Sequence, residues 1–360
     1  MYFNDKIEIV VTNKQRGTEP VVSKYLKSVI SIHTSNDSAH LGADCELIVP
    51  LNARIMYKDG KNDYLTAKST ILFQSGDQIE INTWLEGDIF TGYNRINKFK
   101  GWIVDVTEGN PTRIKCVDYI YKLNTEPISI HYPSITIKSL LEFLIKDTGI
   151  TLSKDVFDFT LKDITFSMMS RAAILESIKK DMGINISLNG SELYCNVASN
   201  TTQVVRLQSD RNIRSDVGGS SGCDLQKENM TYQQIRVKAW FENEDGTKTS
   251  LEVGADKGQI REMYWYKIPK DTKLYKKLAT EAYNKCLLGT YKGSVTKYLY
   301  PFIDLFYKVE YIDIRFPDRS GNYVCTGIDF DFDQNGMKEV CKLAFLDDVI
   351  LSQELTVRYE

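Results

Sequence analysis

FQSGDQIEINTWLEGDIFTGYNRINKFKGWIVDVTEGNPTRIKCVDYIYKL, residues 73–123, is the stretch whose reading decides the fold. Apolar and polar residues alternate in runs cut by turn residues, the pattern of short antiparallel strands with one buried face. Residues 78–82, 102–106 and 112–117 alternate in this way, with Ile89 and Phe99 between them. Gly76-Asp77, Gly87-Asp88, Gly92 and Gly109-Asn110-Pro111 punctuate the runs, because turns need residues that accept positive φ or cannot continue a ladder. The expected product is a small, strongly curved sheet or barrel.

Toward the N-terminus, residues 6–11 alternate as a strand, and residues 26–32 offer a second that runs into the polar turn His33-Thr34-Ser35-Asn36-Asp37-Ser38. Residues 45–49 form a strand ended by Pro50, which cannot donate to a ladder. Residues 54–57 and 64–73 flank Asp59-Gly60, a hairpin signal. One all-β domain is expected over residues 1–130.

Beyond it the period changes from two to about 3.6. Ile137, Leu140, Leu141 and Leu144 stand at helical spacing behind a Thr136 cap, with Gly149 as the left-handed stop. A second helix from Arg171 carries Ile174, Leu175, Ile178 and Met182 on one face and stops at Gly183. The exits KDTGITLS at Lys146 and KDMGINIS at Lys180 are alike, either as an internal repeat or through shared helix-stop chemistry. A hairpin follows around Asn189-Gly190. Residues 131–228 read as an inserted α/β segment, with Gly218-Gly219-Ser220-Ser221-Gly222 as linker material near its end. Over residues 229–360 strands return, around the turn Glu242-Asn243-Glu244-Asp245-Gly246 and then over 307–316, 323–332 and 340–345. Between them Asp271 caps a helix carrying Leu274, Leu278, Ala282 and Cys286.

The order Gly76-Asp77-Gln78-Ile79-Glu80-Ile81, Gly92-Tyr93, Phe99-Lys100-Gly101-Trp102-Ile103-Val104, Ile114-Lys115-Cys116-Val117-Asp118 resembles the first barrel of phage tail baseplate hub proteins of the late control gene D type. Their relatives include the N-terminal half of type VI secretion spike proteins. Gly321-Asn322-Tyr323-Val324 and Asn335-Gly336 match the second barrel of that family, whereas Pro301-Phe302-Ile303-Asp304 replaces its usual Pro-Gly-Asp. The resemblance implies an α+β, mainly β chain: two tube-like antiparallel β-barrel domains, 1–130 and 229–360, around the α/β insert. It also implies a homotrimeric ring that adapts a six-fold tail tube to a three-fold central spike, in a virion tail or tail-like particle assembled in the bacterial cytoplasm. The implied partners are the tail tube, central spike, tape measure and baseplate wedge proteins. The sequence runs only a short way past the second barrel, so the spike is expected on another polypeptide.

The net charge is −3 over 360 residues, which gives no basic field for sequence-specific nucleic acid binding. The start MYFNDKIEIV has no signal-peptide layout, and no apolar run approaches a membrane span. Seven cysteines without a C-x-x-C pair read as reduced, mostly buried thiols, and His33, His40 and His131 keep no zinc spacing with them.

Asp331-Phe332-Asp333-Gln334-Asn335-Gly336 has the opening of a calcium loop, but Lys342 stands where the bidentate glutamate belongs. The competing reading is a half-buried acidic strand that enters a turn. No nucleophile elbow, zinc-protease helix or phosphate-binding glycine loop is present. The pairs Glu242/Glu244 and Asp347/Asp348 could mimic a glycosidase pair but read as acidic loops. No catalytic, cofactor-binding or metal-binding residue is assigned. Tyr264-Trp265-Tyr266 beside Met263, and Tyr298, Tyr300, Phe302, Phe306 and Tyr307, form aromatic clusters that suit core, subunit contact or a sugar platform. A structural assembly protein is the expectation; a carbohydrate-binding β-sandwich and a tail-associated cell wall hydrolase are the alternatives.

Overall fold

A computed structural model describes residues 4–14, 21–58, 60–64, 72–86, 95–124, 126–154, 156, 158–182, 184–195, 203–214, 222–226, 235–243, 245–255, 257, 259–268, 270–288, 292–345 and 358–359. The N-terminal part comprises β1 (Asn4–Thr12), β2 (Ser23–Leu26), β3 (Ser31–Asp37), β4 (Asp44–Val49), β5 (Arg54–Tyr57), β6 (Asn62–Tyr64), β7 (Gln78–Glu86), β8 (Ile96–Thr107), β9 (Thr112–Val117) and the short α1 (Ile120–Leu123). The alternation in residues 73–123 becomes three consecutive antiparallel strands, β7, β8 and β9. Register shifts at Ile81/Asn82 and Ile103/Asp105 are bulges of the kind that bend a strand and increase its twist. Gly101 has a steric reason: a Cβ there would strike the Val117 carbonyl and the Phe99 ring.

The middle of the chain holds β10 (Ile128–Thr136), α2 (Ile137–Ile145), β11 (Thr151–Leu152), β12 (Thr160–Met169), α3 (Arg171–Met182), β13 (Ile186–Asn189), β14 (Glu192–Cys195) and β15 (Val204–Gln208). The Thr136 side chain accepts the Ser139 N–H and so caps α2, as its position predicts. Gly149 has φ +77 and Gly190 +57. Strand β11 pairs parallel and β13 antiparallel with β14, so the likeness of the two helix exits leads to strands that run in opposite directions. Gly183 and most of the glycine-rich 218–222 lie outside the described residues, as do Gly87-Asp88, Ile89, Gly92-Tyr93 and most of the 64–73 run.

The remainder holds β16 (Ile235–Asn243), β17 (Lys248–Gly254), β18 (Gln259–Ile268), α4 (Thr272–Leu288), β19 (Lys292–Lys297), β20 (Lys308–Ile312), β21 (Gly321–Asp333), β22 (Gly336–Phe345) and β23 (Arg358–Tyr359). Asp271 accepts the Lys273 N–H at 2.8 Å and caps α4 as expected. The fold is mainly β with large antiparallel sheets and a minority of helix.

Strand pairing joins the two ends of the chain. Among the described residues one sheet runs β15-β20-β21-β3-β4-β9-β8-β7-β1-β2-β5-β6, with β22 and then β19 branching from β21. The join is β21 against β3, from Gly327↔Asp37 to Phe332↔Ile32. The supposed polar turn 33–38 is therefore strand β3 up to Asp37, and residues 27–30 of the supposed 26–32 strand connect β2 to β3. The polarity of β3 misled because the outward row of this strand faces polar side chains of β21 and β22, while Ile32 and Thr34 supply the buried row. A further difference is that the 307–316 run is paired only to Ile312.

Three large cores, beside a small cluster of Leu305, Phe306 and Val324, follow from this topology among the described residues. The first lies under β1 to β9 and takes in Leu299, Phe330 and Met337 from far along the chain. The second packs α2, α3 and α4 with β13, β14, β16 and β17, so the insert shares a core with residues 235–283. The third joins Leu207, Ile213 and Leu225 to β19 through β22.

Phe330 is 1% exposed and belongs to the first core although it sits on β21. Phe330→Ala should cost about 3–5 kcal/mol. Chemical denaturation checks the magnitude, and hydrogen exchange should show the loss in β3 and β4 as well as in β21.

Candidate functional site: a polar seam and a three-way junction

The seam where β3 meets β21 is laced on its outer side. His33 Nδ1 and Asp331 Oδ1 are 2.6 Å apart, Ser35 Oγ donates to Asp329 Oδ1 at 2.6 Å, and Lys342 Nζ reaches Asp37 Oδ2 at 3.1 Å and Asp329 Oδ2 at 3.3 Å. These groups are partly solvated, so each pair is worth ~0–1 kcal/mol. Their value is register, since a slip of one residue would set aspartates against the wrong row.

Beneath the seam lies a buried ionic cluster. Glu339 on β22 is 0% exposed and Lys297 on β19 is 0% exposed. One Glu339 oxygen accepts from Lys297 Nζ and the other from Lys98 Nζ on β8. Lys297 also donates to the carbonyls of Tyr298 and Leu299 at 3.1 and 3.3 Å, and Lys98 sits 5.8 and 5.9 Å from the ring centroids of Phe302 and Phe330. Burial alone would push the Glu339 carboxyl up, but the two ammonium groups hold it below its usual range.

The loop after β3 is the meeting point of all parts. Ser38 N donates to Thr326 O on β21, and Leu188 N on β13 donates to Leu41 O. Lys179 Nζ on α3 donates to the carbonyls of Ser38, Ala39 and His40 at 2.8, 2.9 and 3.1 Å. Asp118, 3% exposed, accepts from Ala43 N and Ile120 N, and a Cβ on Gly42 would collide with its carboxylate. Burial pushes the Asp118 carboxyl up to about 6 despite those two donors. A cavity of about 280 Å³ opens beside it, bounded by Asn36, Lys98, Asn189, Asp304 and Phe330 among others.

The candidates raised by the sequence distribute as follows. Of the calcium-like run, Asp331 pairs with His33, Asp333 accepts Asn335 N–H at 2.6 Å within the turn, and Lys342 supplies the positive charge to the acidic strand. His131 Nδ1 lies 2.9 Å from Thr165 Oγ1. Glu242 pairs with Lys248 at 3.7 Å, whereas Glu244, Asp347 and Asp348 lie outside the described residues. Cys45 and Cys116 face each other across β4 and β9 and are buried, as are Cys195, Cys325 and Cys341. Trp265 is buried against Phe241, while Tyr264 and Tyr266 turn outward; Phe306 is buried, and Tyr298 and Tyr300 are exposed. Lys98, Lys179 and Glu339 carry the junction without any sequence motif that marks them, whereas Asp118 closes the run Ile114-Lys115-Cys116-Val117-Asp118 singled out in the sequence. No helix among the described residues is long and apolar enough to cross a membrane.

The fold is similar to those of solved tail proteins, prophage ones among them. The chain is similar to the tail protein of Neisseria meningitidis, at 12% identity and TM-score 0.61 over 96% of this chain and 97% of that one. It is similar to the 43 kDa tail protein of prophage MuSo2 from Shewanella oneidensis, at 12% identity and TM-score 0.57 over 94% and 97%. An Escherichia coli component of the type VI secretion system, described as structurally similar to the bacteriophage T4 tail proteins gp27 and gp5, matches at 7% identity and TM-score 0.52 over 95% and 77%. No protein-family profile and no curated protein matches the sequence.

Two outcomes test the junction. Glu339→Gln leaves two buried ammonium groups without their counter-charge and should cost about 3–5 kcal/mol. In the wild type, the Glu339 contribution is complete above the ordinary carboxylate range and is lost as pH falls through the lowered folded value. Asp118 works in the opposite sense: its contribution is complete below the ordinary aspartate range and is lost as pH rises through about 6. Asp118→Asn should remove that slope, on the order of 3 kcal/mol, from a plot of denaturation midpoint against pH.

Proposed function

We propose that the protein is a structural component of a phage tail or tail-like particle, serving as the baseplate hub. In this reading three copies form a ring between a six-fold tail tube and a three-fold central spike. The observation that carries it is the match of fold along 94–96% of the chain to tail proteins and to a type VI secretion component. Two tube-like modules per chain make six in a trimer, so a repeated module within one polypeptide adapts one symmetry to the other.

The seam supports the same reading. A part that transmits load between tube and spike needs its modules held in fixed relation, and here β3–β21 pairing, a buried ion cluster and Lys179 tie three parts of the chain together. The role is non-enzymatic, with no cofactor. Its partners are the tail tube, central spike, tape measure and baseplate wedge proteins, and it has neither a membrane anchor nor sequence-specific nucleic acid binding. Assembly takes place in the bacterial cytoplasm and the protein resides in the tail.

Negative-stain microscopy of the purified protein should give ring-shaped particles with a central hole, and co-expression with the tube and spike proteins of the same particle should yield a ternary complex. Solitary compact particles that capture neither protein and bind glycans would overturn the hub reading in favour of a carbohydrate-binding module.

A further inference from the structure

Four of the seven cysteines lie buried in two pairs. Cys45 on β4 stands directly opposite Cys116 on β9, at 3% and 2% exposure. Cys325 on β21 and Cys341 on β22 meet diagonally across a register shift, since Cys325 opposes Leu343 and Cys341 opposes Ile328, and both are fully buried. Within each pair the thiols act on one another. Burial, and then contact with Cys116, push the Cys45 thiol well up; contact with Cys341, and then burial, do the same to Cys325. Cys195 is buried as deeply, but its strand partner is Ile186. The two pairs flank the seam strand, because β4 and β9 follow β3 on one side and β21 and β22 on the other.

Residues directly opposite in an antiparallel pair have Cα atoms about 4.5–5.5 Å apart, within the roughly 4.4–6.8 Å that a disulfide spans. A bacterial cytoplasm keeps such thiols reduced, whereas a virion outside the cell meets an oxidising medium. We infer that Cys45 with Cys116, and Cys325 with Cys341, are oxidation sites: reduced while the chain folds and assembles, and closed to disulfides by a peroxide once the particle has left the cell. In each pair one sulfur, its proton lost to water, attacks a peroxide oxygen; the O–O bond breaks, and the departing hydroxide takes up that proton as water, leaving a sulfenic acid. The partner sulfur then attacks the oxidised sulfur, the S–S bond forms, the S–O bond breaks, and hydroxide leaves with the partner's proton as a second water. Two thiols have given two electrons to one peroxide. Burial keeps thiolate scarce, so the reaction is slow and follows local opening of the strand pair. Once closed, the bridges fasten β4 to β9 and β21 to β22 and hold the seam from both flanks. The timing rests on the tail reading above; the pairing of the thiols does not.

The test takes the folded full chain, purified with reductant and freed of it, exposes it to hydrogen peroxide, then unfolds and alkylates it for peptide mapping without reduction. Cys45 should be found linked to Cys116 and Cys325 to Cys341, each link with the loss of two hydrogens, while Cys195 is alkylated. Cys116→Ala and Cys341→Ala should each abolish their own bridge and spare the other; melting curves confirm that the variants are folded. In denaturant the oxidised wild type should show an unfolding constant lower by roughly a hundredfold or more than the reduced protein, a gain that added reductant reverses. A pair whose thiols are both recovered free, or oxidised without linking, overturns its assignment, and so does a Cys195 that links as readily as the pairs do. Thiols that stay free in a protein that forms rings overturn the bridges and leave the hub reading intact; bridges that close in a protein that forms no ring support the pairing and count against the hub.

Discussion

Glu339 is the group on which the arrangement of this molecule depends. A carboxylate without solvent exposure must be paired, and its partners come from β8 near the start of the chain and β19 near its end. Taking three charged groups out of water is expensive, and the attraction between them compensates only when the geometry is complete. The cluster therefore tolerates one relative placement of β8, β19 and β22. A purely apolar seam would be more forgiving of sliding, and the outer row of His33, Ser35 and Asp37 against β21 and β22 limits sliding further.

Much of the local structure was legible in the sequence. Residues 112–117 and 54–57 alternate cleanly and become β9 and β5, and the caps at Thr136 and Asp271 hold where side-chain chemistry places them. Those features are decided by neighbours within a few positions. The seam was not legible, because β3 owes its polarity to a partner almost 300 positions away, and a strand whose outward row is His, Ser and Asp looks like a turn until β21 is beside it. The parallel pairing of β18 with β16 was hidden for the same reason: Tyr264-Trp265-Tyr266 read as a cluster, and only a strand in place divides it into Trp265 inside and two tyrosines outside. Lys98, Lys297 and Glu339 carry no motif, since a buried ion cluster is defined by geometry alone.

The junction loop explains how the helical insert is fixed to the rest. Lys179 places one ammonium against three successive carbonyls that would otherwise need water, while Arg171 on the same helix reaches the Leu144 and Lys146 carbonyls at the end of α2. One helix thus satisfies backbone acceptors on both sides of itself. The insert also shares its core with residues 235–283, so it is bound into the body of the molecule rather than appended to it.

The pairing of β3 with β21 sets an order of events during synthesis. Until residue 333 has left the ribosome, β3 lacks its outer neighbour and the first core lacks Leu299, Phe330 and Met337. The nascent N-terminal sheet presents an open strand edge for that interval, and contacts of such long sequence separation form slowly. The polar outward row of β3 acquires a second role here, since His33, Ser35 and Asp37 make that edge a poor template for another chain while it waits for its own C-terminal partner.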